Sequence, residues 1–374
     1  MRQENRVDWW FLVAVIVMTA AGFFIFASAS LGLFAREGAR FASVAFSQTF
    51  FGLFLGSIAC IITSKINYRF WRKYAFYIFI LSILATLLVF VPGIGFSHGG
   101  AARWILVGPV SFQPSELLKI GFLIYIAAWI SGVKKNVETV KYGILPFILL
   151  CGVVGAVLLS QPDTDTYVIL CATALGMFAV SGGKWKHIAV TIFIALIGLS
   201  IVAYSRPYIR ERLMVFINPS HDQLGSSYQL NQSLIAIGSG QWFGKGFGQS
   251  VQKFNFLPEP IGDSIFAVFA EEFGFVGSVG LIFLFVFFAF RGMRIAMNSP
   301  DTFGGLVAFG IVILIVVQSF VNIGAMLGVL PLSGIPLLFV SHGGSALFIT
   351  LAEAGIVLNI SRYQRSKHEK VKLT

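Results

Sequence analysis

The sequence predicts an all-α polytopic membrane protein, a bundle of about ten transmembrane helices with a large extracytoplasmic loop between the seventh and eighth. The first observation is composition: of the 374 residues 57% are hydrophobic and only 11% are charged, whereas soluble domains carry about 25% charged residues. The second is a series of apolar runs of about 17–25 residues, each long enough to cross a bilayer. Because every backbone polar group must then be satisfied within its own helix, a helical bundle is favoured over a barrel.

The apolar runs define the predicted spans of a single integral membrane domain over residues 1–374. The first run starts at Trp9 and lacks a small-residue cleavage signature, so we interpret it as a retained helix and not as a signal peptide. The predicted spans centre near Val15, Leu55, Leu81, Leu123, Leu150, Leu170, Phe193, Phe275, Val312 and Leu351.

Lysine and arginine are distributed unevenly between alternate loops. If the N-terminus is cytoplasmic, most of the 27 basic residues fall on that side, including a basic tail over residues 362–374. The positive-inside rule then places both termini in the cytoplasm, in agreement with an even number of spans. The net charge of +11 is explained by this topology and by attraction to anionic lipid, so it indicates no nucleic-acid partner.

Cysteine and histidine usage argues against two kinds of site. Cys60, Cys151 and Cys171 lie in apolar runs and form no CxxC pair, so neither a zinc site nor a disulfide framework is indicated. The five histidines are scattered along the chain and offer no ligand cluster.

The connection over residues 206–263 is the longest and is predicted to lie outside the membrane. Its many apolar residues argue against disorder, and we predict an amphipathic or re-entrant helix around Tyr228–Ile237 followed by a glycine-rich turn. The run GSGQWFGKGFG (Gly238–Gly248) fails the spacing of a phosphate loop, since Ser239 stands where that motif requires glycine. Tight turns explain these glycines, and a contact between Lys245 and a phosphate is the alternative.

Polar residues also surround the start of the fourth span, in GGAARWILVGPVSFQPSELLK (Gly99–Lys119). Glu116 and Lys119 are three residues apart and share a helix face, so a local ion pair is one interpretation. The other interpretation is that the basic residues hold an anionic headgroup. Arg103 can bind two phosphate oxygens at once and Lys119 can act as a point charge.

Two further polar stretches interrupt the spans. In SQPDTDTY, helix capping explains at least one of Asp163 and Asp165. In Gly328–Leu347, prolines and glycines break the helical pattern in an apolar setting. Non-helical backbone at membrane depth is tolerated where it is buried in protein or lines a wet cavity.

Carboxylates lie beside and inside the eighth apolar run, in FNFLPEPIGDSIFAVFAEEFG (Phe254–Gly274). Either Asp263 or Ser264 could cap the eighth helix, which is worth about 1 kcal/mol. Ionisable groups within spans are costly unless paired or hydrated, and are therefore functional candidates. Together the acids predict a polar cavity that opens outward, with the Arg103–Lys119 stretch and Gly328–Leu347 as its other walls. A cavity with both carboxylates and cations suits a lipid-linked phosphate. The four residues are Glu259, Asp263, Glu271 and Glu272.

These stretches resemble the SEDS family of bacterial cell-wall polymerases, which includes FtsW, RodA and SpoVE. The matching runs, in order, are GAARWILVGPVSFQPSELLK, SQPDTDT, YQLNQSLIAIGSGQWFGKGFGQSVQKFNFLPEPIGDSIFAVFAEEFGFVG and LPLSGIPLLFVSHGGSAL. The run GQSVQKFNFLPE looks nearer to FtsW than to RodA. The sequence departs from the family pattern at Asp165, Asn255, Ile261-Gly262 and His342.

The resemblance implies a peptidoglycan glycosyltransferase that polymerises lipid II at the outer face of the cytoplasmic membrane, with a role in cell division or cell shape. The family's essential acid falls on Asp263. Since β-1,4 links form from α-linked diphosphates, the reaction inverts the anomeric centre, with Asp263 as general base and cations at the leaving diphosphate. The candidate substrate-binding residues are Arg103, Glu116, Lys119, Arg210, Lys245 and Glu259.

The resemblance also implies partners. The donor is a glycan on a polyprenyl diphosphate, and the protein partner is a class B penicillin-binding protein that cross-links the strands. No nucleotide is needed, because the lipid diphosphate carries the energy. A divalent cation, Mg²⁺ or Mn²⁺, is compatible with the reaction but not required by the sequence. The alternative function is a lipid II flippase, since a polar cavity between helices serves either task, and a third is a scaffold that only recruits other enzymes.

Overall fold

The computed structural model describes residues 7–98, 101–107, 110–218 and 227–364. Its helices are α1 (Trp9–Arg36), α2 (Gly38–Phe46), α3 (Gly56–Lys65), α4 (Tyr68–Leu87), α5 (Pro114–Val133), α6 (Leu145–Ser160), α7 (Thr164–Val180), α8 (Trp185–Ser205), α9 (Pro207–Ile217), α10 (Tyr228–Ser239), α11 (Gln252–Asn255), α12 (Ile265–Met297), α13 (Thr302–Met326) and α14 (Gly344–Ser361). A π-helical segment, Ser47–Leu55, joins α2 to α3, and another, Val140–Ile144, leads into α6. Short 3-10 turns lie at Leu88–Phe90 and Lys134–Glu138.

The predicted fold class is confirmed. Within the described residues, nine helices are long and apolar enough to cross a membrane. The apolar helix α7, with 17 residues, falls short of that length and occupies the position of the remaining predicted span. The protein is therefore a multi-pass membrane protein.

Burial differs sharply between the spans. In α14, 89% of the most apolar stretch is buried, and in α5 and α13 the share is 67%, so these three helices form the centre of the bundle. In α8 the share is only 6%, and Ile188 is its one buried residue. The outward faces of the peripheral helices are apolar, as expected of side chains that contact lipid.

A small antiparallel sheet, which the sequence did not predict, lies between α4 and α5. Its strands are β1 (Gly95–His98), β2 (Ala101–Val107) and β3 (Val110–Phe112), in the order β1-β2-β3. The register pairs Gly95 with Ile105 and Ile105 with Phe112. The sheet gives Arg103, on β2, a defined position before the start of α5.

Helix α12 is interrupted at Gly274, whose φ of 65° and ψ of −163° are not helical. The glycine-rich segment after α10 inserts at this break, and a Cβ on Gly274 would lie only 2.4 Å from the backbone nitrogen of Gly244. The N-terminal part of α12 is thus a short buried half-helix that begins beside Asp263. The inserted segment makes four backbone hydrogen bonds across the break: Phe275 N to Gln241 O, Val276 N to Trp242 O, Lys245 N to Glu271 O and Gly246 N to Glu272 O.

The long connection between α8 and α12 has helical structure. Helix α10 lies where an amphipathic or re-entrant helix was predicted, and it buries Leu230, Ser233 and Ala236 against the bundle. Residues 219–226 of this connection, and residues 365–374 of the predicted basic tail, lie outside the described residues.

Candidate functional site

Asp263 lies two residues before the N-terminal half-helix of α12. The residue at the N-cap position is Ser264, and its side chain makes no capping hydrogen bond, so the capping interpretation of Asp263 does not hold. The backbone here is held by α13, since Asn322 Nδ2 donates to the carbonyls of Asp263 and Ile335, each at 2.8 Å. Within the described residues no hydrogen bond reaches the Asp263 carboxylate itself.

The broken segment between α13 and α14, residues 327–343, forms one wall beside Asp263. Ser341 Oγ donates to the carbonyl of Gly262 at 2.8 Å, and the backbone nitrogen of His342 donates to the carbonyl of Ile261 at 2.7 Å. Non-helical backbone at membrane depth thus lines a polar site, as the sequence predicted.

Arg212 and Asp165 lie against this wall. Arg212, on α9, approaches Asp165, on α7, with 2.7 Å between Nη1 and Oδ2. Gly334 N donates to the same oxygen at 3.1 Å. A Cβ built on Gly334 would lie 3.4 Å from Arg212 Nη2 and 3.7 Å from Asp263 Oδ2, so the guanidinium and the Asp263 carboxylate approach the same point.

The pKa of the Asp263 carboxyl is raised well above that of an ordinary aspartate. The carboxyl is partly accessible, yet enough protein surrounds it that desolvation, reinforced by the negative charge of Glu259, raises its pKa to about 7, compared with about 3.9 for an ordinary aspartate. Asp165 acts in the same direction, whereas the positive charges of Arg212 and Arg103 lower the pKa. A carboxyl that titrates near neutral pH is suited to accept a proton during catalysis.

Arg103 and Asp163 lie next to this group. Arg103 Nη1 is 3.7 Å from Asp163 Oδ1, and its other nitrogens donate to the carbonyls of Gln161, at 3.1 Å, and Pro162. Asp163 is buried, and its Oδ2 has no hydrogen-bond partner among the described residues. Burial raises the pKa of Asp163, while Arg103 lowers it. Asp163 occupies the N-cap position of α7 but makes no capping hydrogen bond.

Glu116 and Lys119 form the local ion pair that was one of the two interpretations. Their side chains are buried, with 2.7 Å between Lys119 Nζ and Glu116 Oε2. Lys119 Nζ also donates to Gln318 Oε1 at 2.9 Å, and Gln318 donates to the carbonyl of Pro336. The positive charge of Lys119 acts on Asp163, so this buried pair adjoins the Arg103 side of the site.

The family model for the FtsW, RodA and SpoVE cell cycle proteins matches residues 8–366. The chain belongs to this family. Stage V sporulation protein E of Bacillus subtilis (strain 168) is 38% identical over 314 residues, which cover 83% of this chain and 85% of that relative. A probable peptidoglycan glycosyltransferase FtsW of Geobacter sp. (strain M18) is 35% identical over 368 residues, covering 98% and 99% of the two chains.

Solved SEDS structures have the same fold. A chain from work on the structural coordination of polymerization and crosslinking by a peptidoglycan synthase complex superposes with a TM-score of 0.78 at 28% identity, over 96% of this chain and 99% of that one. The rod shape determining protein RodA of Thermus thermophilus superposes with a TM-score of 0.69 at 27% identity, over 96% and 98%. The resemblance to the SEDS family is confirmed, and the chain is FtsW-like.

The structure of this SEDS protein brings only some of the predicted site residues together. Arg103 and Glu259 are among the charges that act on Asp263. Lys245 instead pairs with the buried Glu271 of α12, with 2.6 Å between Nζ and Oε1. Arg210 is exposed and donates to the carbonyl of Tyr204 at 3.2 Å, so it turns back toward α8.

Arg212 was missed by the sequence analysis, although a signal for it exists. Pro207 occupies the first position of α9 and sets the helix start. Tyr208 and Arg212, four residues apart, share a face of that helix. Tyr208 hydroxyl lies 2.7 Å from Thr164 Oγ1, so this face turns toward α7 and Arg210 does not.

The donor set argues against a metal centre built from protein side chains alone. Among the described residues no group of three or more His, Cys, Asp or Glu side chains is placed to hold a metal ion. Near Asp263 the acidic side chains with the strongest influence are Glu259 and Asp165, and Asp165 is already paired with Arg212.

Proposed function

We propose that this protein is a peptidoglycan glycosyltransferase that polymerises lipid II into β-1,4 glycan strands at the outer face of the cytoplasmic membrane, in cell division or cell shape. The observation that carries the proposal is the Asp263 carboxylate, raised in pKa and placed beside Arg212 and Arg103 at the start of the α12 half-helix. The relatives that are named peptidoglycan glycosyltransferases support the activity.

Asp263 acts as the general base. The acceptor is the 4-hydroxyl of the GlcNAc of lipid II, and the donor is a glycan strand on polyprenyl diphosphate. The acceptor oxygen attacks the anomeric carbon, its proton moves to the Asp263 carboxylate, and the bond from that carbon to the diphosphate oxygen breaks with its electron pair on the diphosphate. The carboxylate must lie about 3 Å from the hydroxyl for this transfer.

The cations beside Asp263 stabilise the leaving diphosphate. Arg103 and Arg212 both belong to the electrostatic surroundings of Asp263, and preorganised positive charge at a developing anion lowers the barrier. Lys119 adds positive potential through its position near Asp163, with Glu116 fixing its side chain. Glu259 lies on the exposed side of Asp263, where an incoming sugar meets the site. Arg210 and Lys245 bond to Tyr204 and Glu271, so we assign them no contact with the diphosphate.

A divalent cation is compatible with this site only if the protein and the substrate bind it together. Asp263 and Glu259 offer two carboxylates, and Mg²⁺ or Mn²⁺ commonly binds through one or two carboxylates together with substrate phosphates. Such an ion would supply additional positive charge at the diphosphate.

The partner and the orientation belong to the same proposal. One similar structure comes from a peptidoglycan synthase complex, which supports a class B penicillin-binding protein as the partner of this chain. The distribution of basic residues supports cytoplasmic termini, and hence an outward-facing Asp263.

Purified protein, with and without the transpeptidase, should convert lipid II into glycan strands that are visible on a gel. Asp263→Asn is expected to abolish polymer while the variant still folds, as judged by melting temperature and size-exclusion profile. Glu37→Gln is the matched control, because Glu37 is an exposed carboxylate in the turn between α1 and α2. Wild-type protein that moves lipid II across vesicles but makes no polymer would instead establish the flippase. Full activity of Asp263→Asn would remove the base from the mechanism.

A further inference from the structure

We propose that Asp165 is a positioning residue that holds Arg212 beside Asp263, so that the guanidinium meets the diphosphate of the substrate. This inference rests on the proposed function and assigns within it the residue that orients the cation.

A single carboxylate oxygen joins three segments of the protein. Asp165 Oδ2, in the first turn of α7, accepts Arg212 Nη1 from α9 at 2.7 Å and the backbone nitrogen of Gly334 at 3.1 Å. A charge-assisted hydrogen bond of this length restrains the Nη1 end of the guanidinium. The bond to Gly334 connects the same carboxylate to the wall formed by residues 327–343.

The other side of the guanidinium faces Asp263. Arg212 Nη2 and Asp263 Oδ2 lie 3.4 Å and 3.7 Å from the position that a Gly334 Cβ would occupy. The Arg212 and Asp165 side chains are 36% and 27% exposed, so a ligand can reach the pair from outside. The base and the cation therefore both border one space that a ligand can reach from outside.

Gly334 keeps that point open. Its φ lies outside the left-handed region, so the backbone there does not require glycine. A side chain at this position would start 3.4 Å from Arg212 Nη2 and 3.7 Å from Asp263 Oδ2, and would take up space that a ligand has to enter to reach both groups.

Tyr208 anchors the helix that carries Arg212. The Arg212 guanidinium carbon lies 5.9 Å from the centre of the Tyr208 ring. The Tyr208 hydroxyl lies 2.7 Å from Thr164 Oγ1, one residue before Asp165. These contacts attach α9 to the start of α7, so Asp165 has to orient only the end of the Arg212 side chain.

The test measures binding of undecaprenyl diphosphate to the purified protein in detergent, together with lipid II polymerisation. Arg212→Gln is expected to weaken binding roughly tenfold to a hundredfold, as the loss of a charged hydrogen bond predicts. Asp165→Ala is also expected to weaken binding, because it releases the Arg212 guanidinium. The removal of a negative charge from an anion site would by itself have the opposite effect. The double variant Asp165→Ala/Arg212→Gln should bind no worse than Arg212→Gln alone, because Asp165 acts through the arginine.

The outcomes separate the possible roles. Tighter binding in Asp165→Ala would overturn the proposal, since Asp165 would then act only as a repelling charge. A double variant that binds more weakly than Arg212→Gln by the full Asp165→Ala effect would also overturn it. Arg206→Gln, at the exposed start of α9, is the control and should bind as the wild type does. If the wild-type protein binds the diphosphate but forms no polymer, the proposed function fails while the role of Asp165 in binding stands.

Discussion

At the scale of single residues, Asp263 determines the pH dependence of the proposed reaction. A general base works only when it is deprotonated, and the pKa of this carboxyl is raised to about 7. The value of kcat/KM for lipid II, which reports the free enzyme, is therefore expected to rise with pH through about 7 and to level off above it. Polymerisation rates of purified protein across the neutral range test this. A flat profile would count against Asp263 as the base.

The charges around Asp263 should move that midpoint in opposite directions. Glu259→Gln removes a negative charge that raises the pKa, so the midpoint should fall to lower pH. Arg212→Gln removes a positive charge that lowers the pKa, so the midpoint should rise. Glu211→Gln, on the exposed face of α9, serves as the control and should leave the midpoint in place. Shifts of the same sign in the first two variants would contradict the electrostatic account.

The sequence identified Asp263 but not the arginine beside it. A carboxylate next to an apolar run is visible from composition alone, because it is costly there. Choosing between Arg210 and Arg212 requires knowing how α9 rotates against α7, and that rotation depends on the Tyr208–Thr164 contact between distant parts of the chain. Likewise, the Lys245–Glu271 pair joins residues that the chain brings together only through the break in α12.

At the scale of elements, the break at Gly274 determines how the half-helix that begins beside Asp263 is held. Gly274→Ala should destabilise the protein, because its φ/ψ is strained for any other residue, at roughly 1–3 kcal/mol, and because a Cβ would lie 2.4 Å from Gly244 N. A lower melting temperature in detergent and reduced polymerisation are the expected results. Gly280→Ala, on the same helix with nothing within 4 Å of its Cβ position, is the matched control. Equal stability of the two variants would show that the inserted segment does not hold the break.

A buried ion pair joins the same half-helix to α11, and Ser28 connects the pair to α1. Lys253 Nζ lies 2.7 Å from Glu272 Oε1, both side chains are at most 2% exposed, and Ser28 Oγ donates to Glu272 Oε2 at 2.6 Å. Removing one partner should cost about 3–5 kcal/mol, because the other charge stays buried and unpaired. Lys253→Met is therefore expected to lower the melting temperature strongly, whereas Lys253→Met/Glu272→Leu should recover much of the loss. Arg40→Met, in an exposed pair with Glu37, is the control and should change little. A double variant less stable than Lys253→Met alone would contradict this account.

The spans were predictable, whereas the breaks in regular structure were not. Each span is a local apolar run whose backbone has to be helical in lipid, so its position follows from nearby residues. The sheet has strands of three to seven residues in a polar stretch, where the pattern is weak. The break at Gly274 lies inside a continuous apolar run and depends on a contact with Gly244, thirty residues earlier in the chain.

At the scale of the whole molecule, the site is assembled from segments that all lie at one end of the bundle. Arg103 comes from β2, Asp165 from the start of α7, Arg212 from α9 and Asp263 from the start of α12, and residues 327–343 close the other side. Since no single helix supplies more than one of these side chains, the geometry of the site depends on the packing of the bundle. Because the site lies at one end of the bundle, the reaction is confined to the face of the membrane on which that end lies.

That face can be determined directly. With Cys60, Cys151 and Cys171 replaced by alanine, a single cysteine is introduced by Gln249→Cys, next to the inserted segment, or by Lys186→Cys, at the start of α8; both positions are exposed. The positive-inside rule places Lys186 in the cytoplasm and Gln249 outside. A membrane-impermeant maleimide added to intact spheroplasts should therefore label Gln249→Cys alone, and permeabilisation should allow Lys186→Cys to react. Labelling in the reverse order would place Asp263 in the cytoplasm, where a polymerase of the external cell wall cannot work.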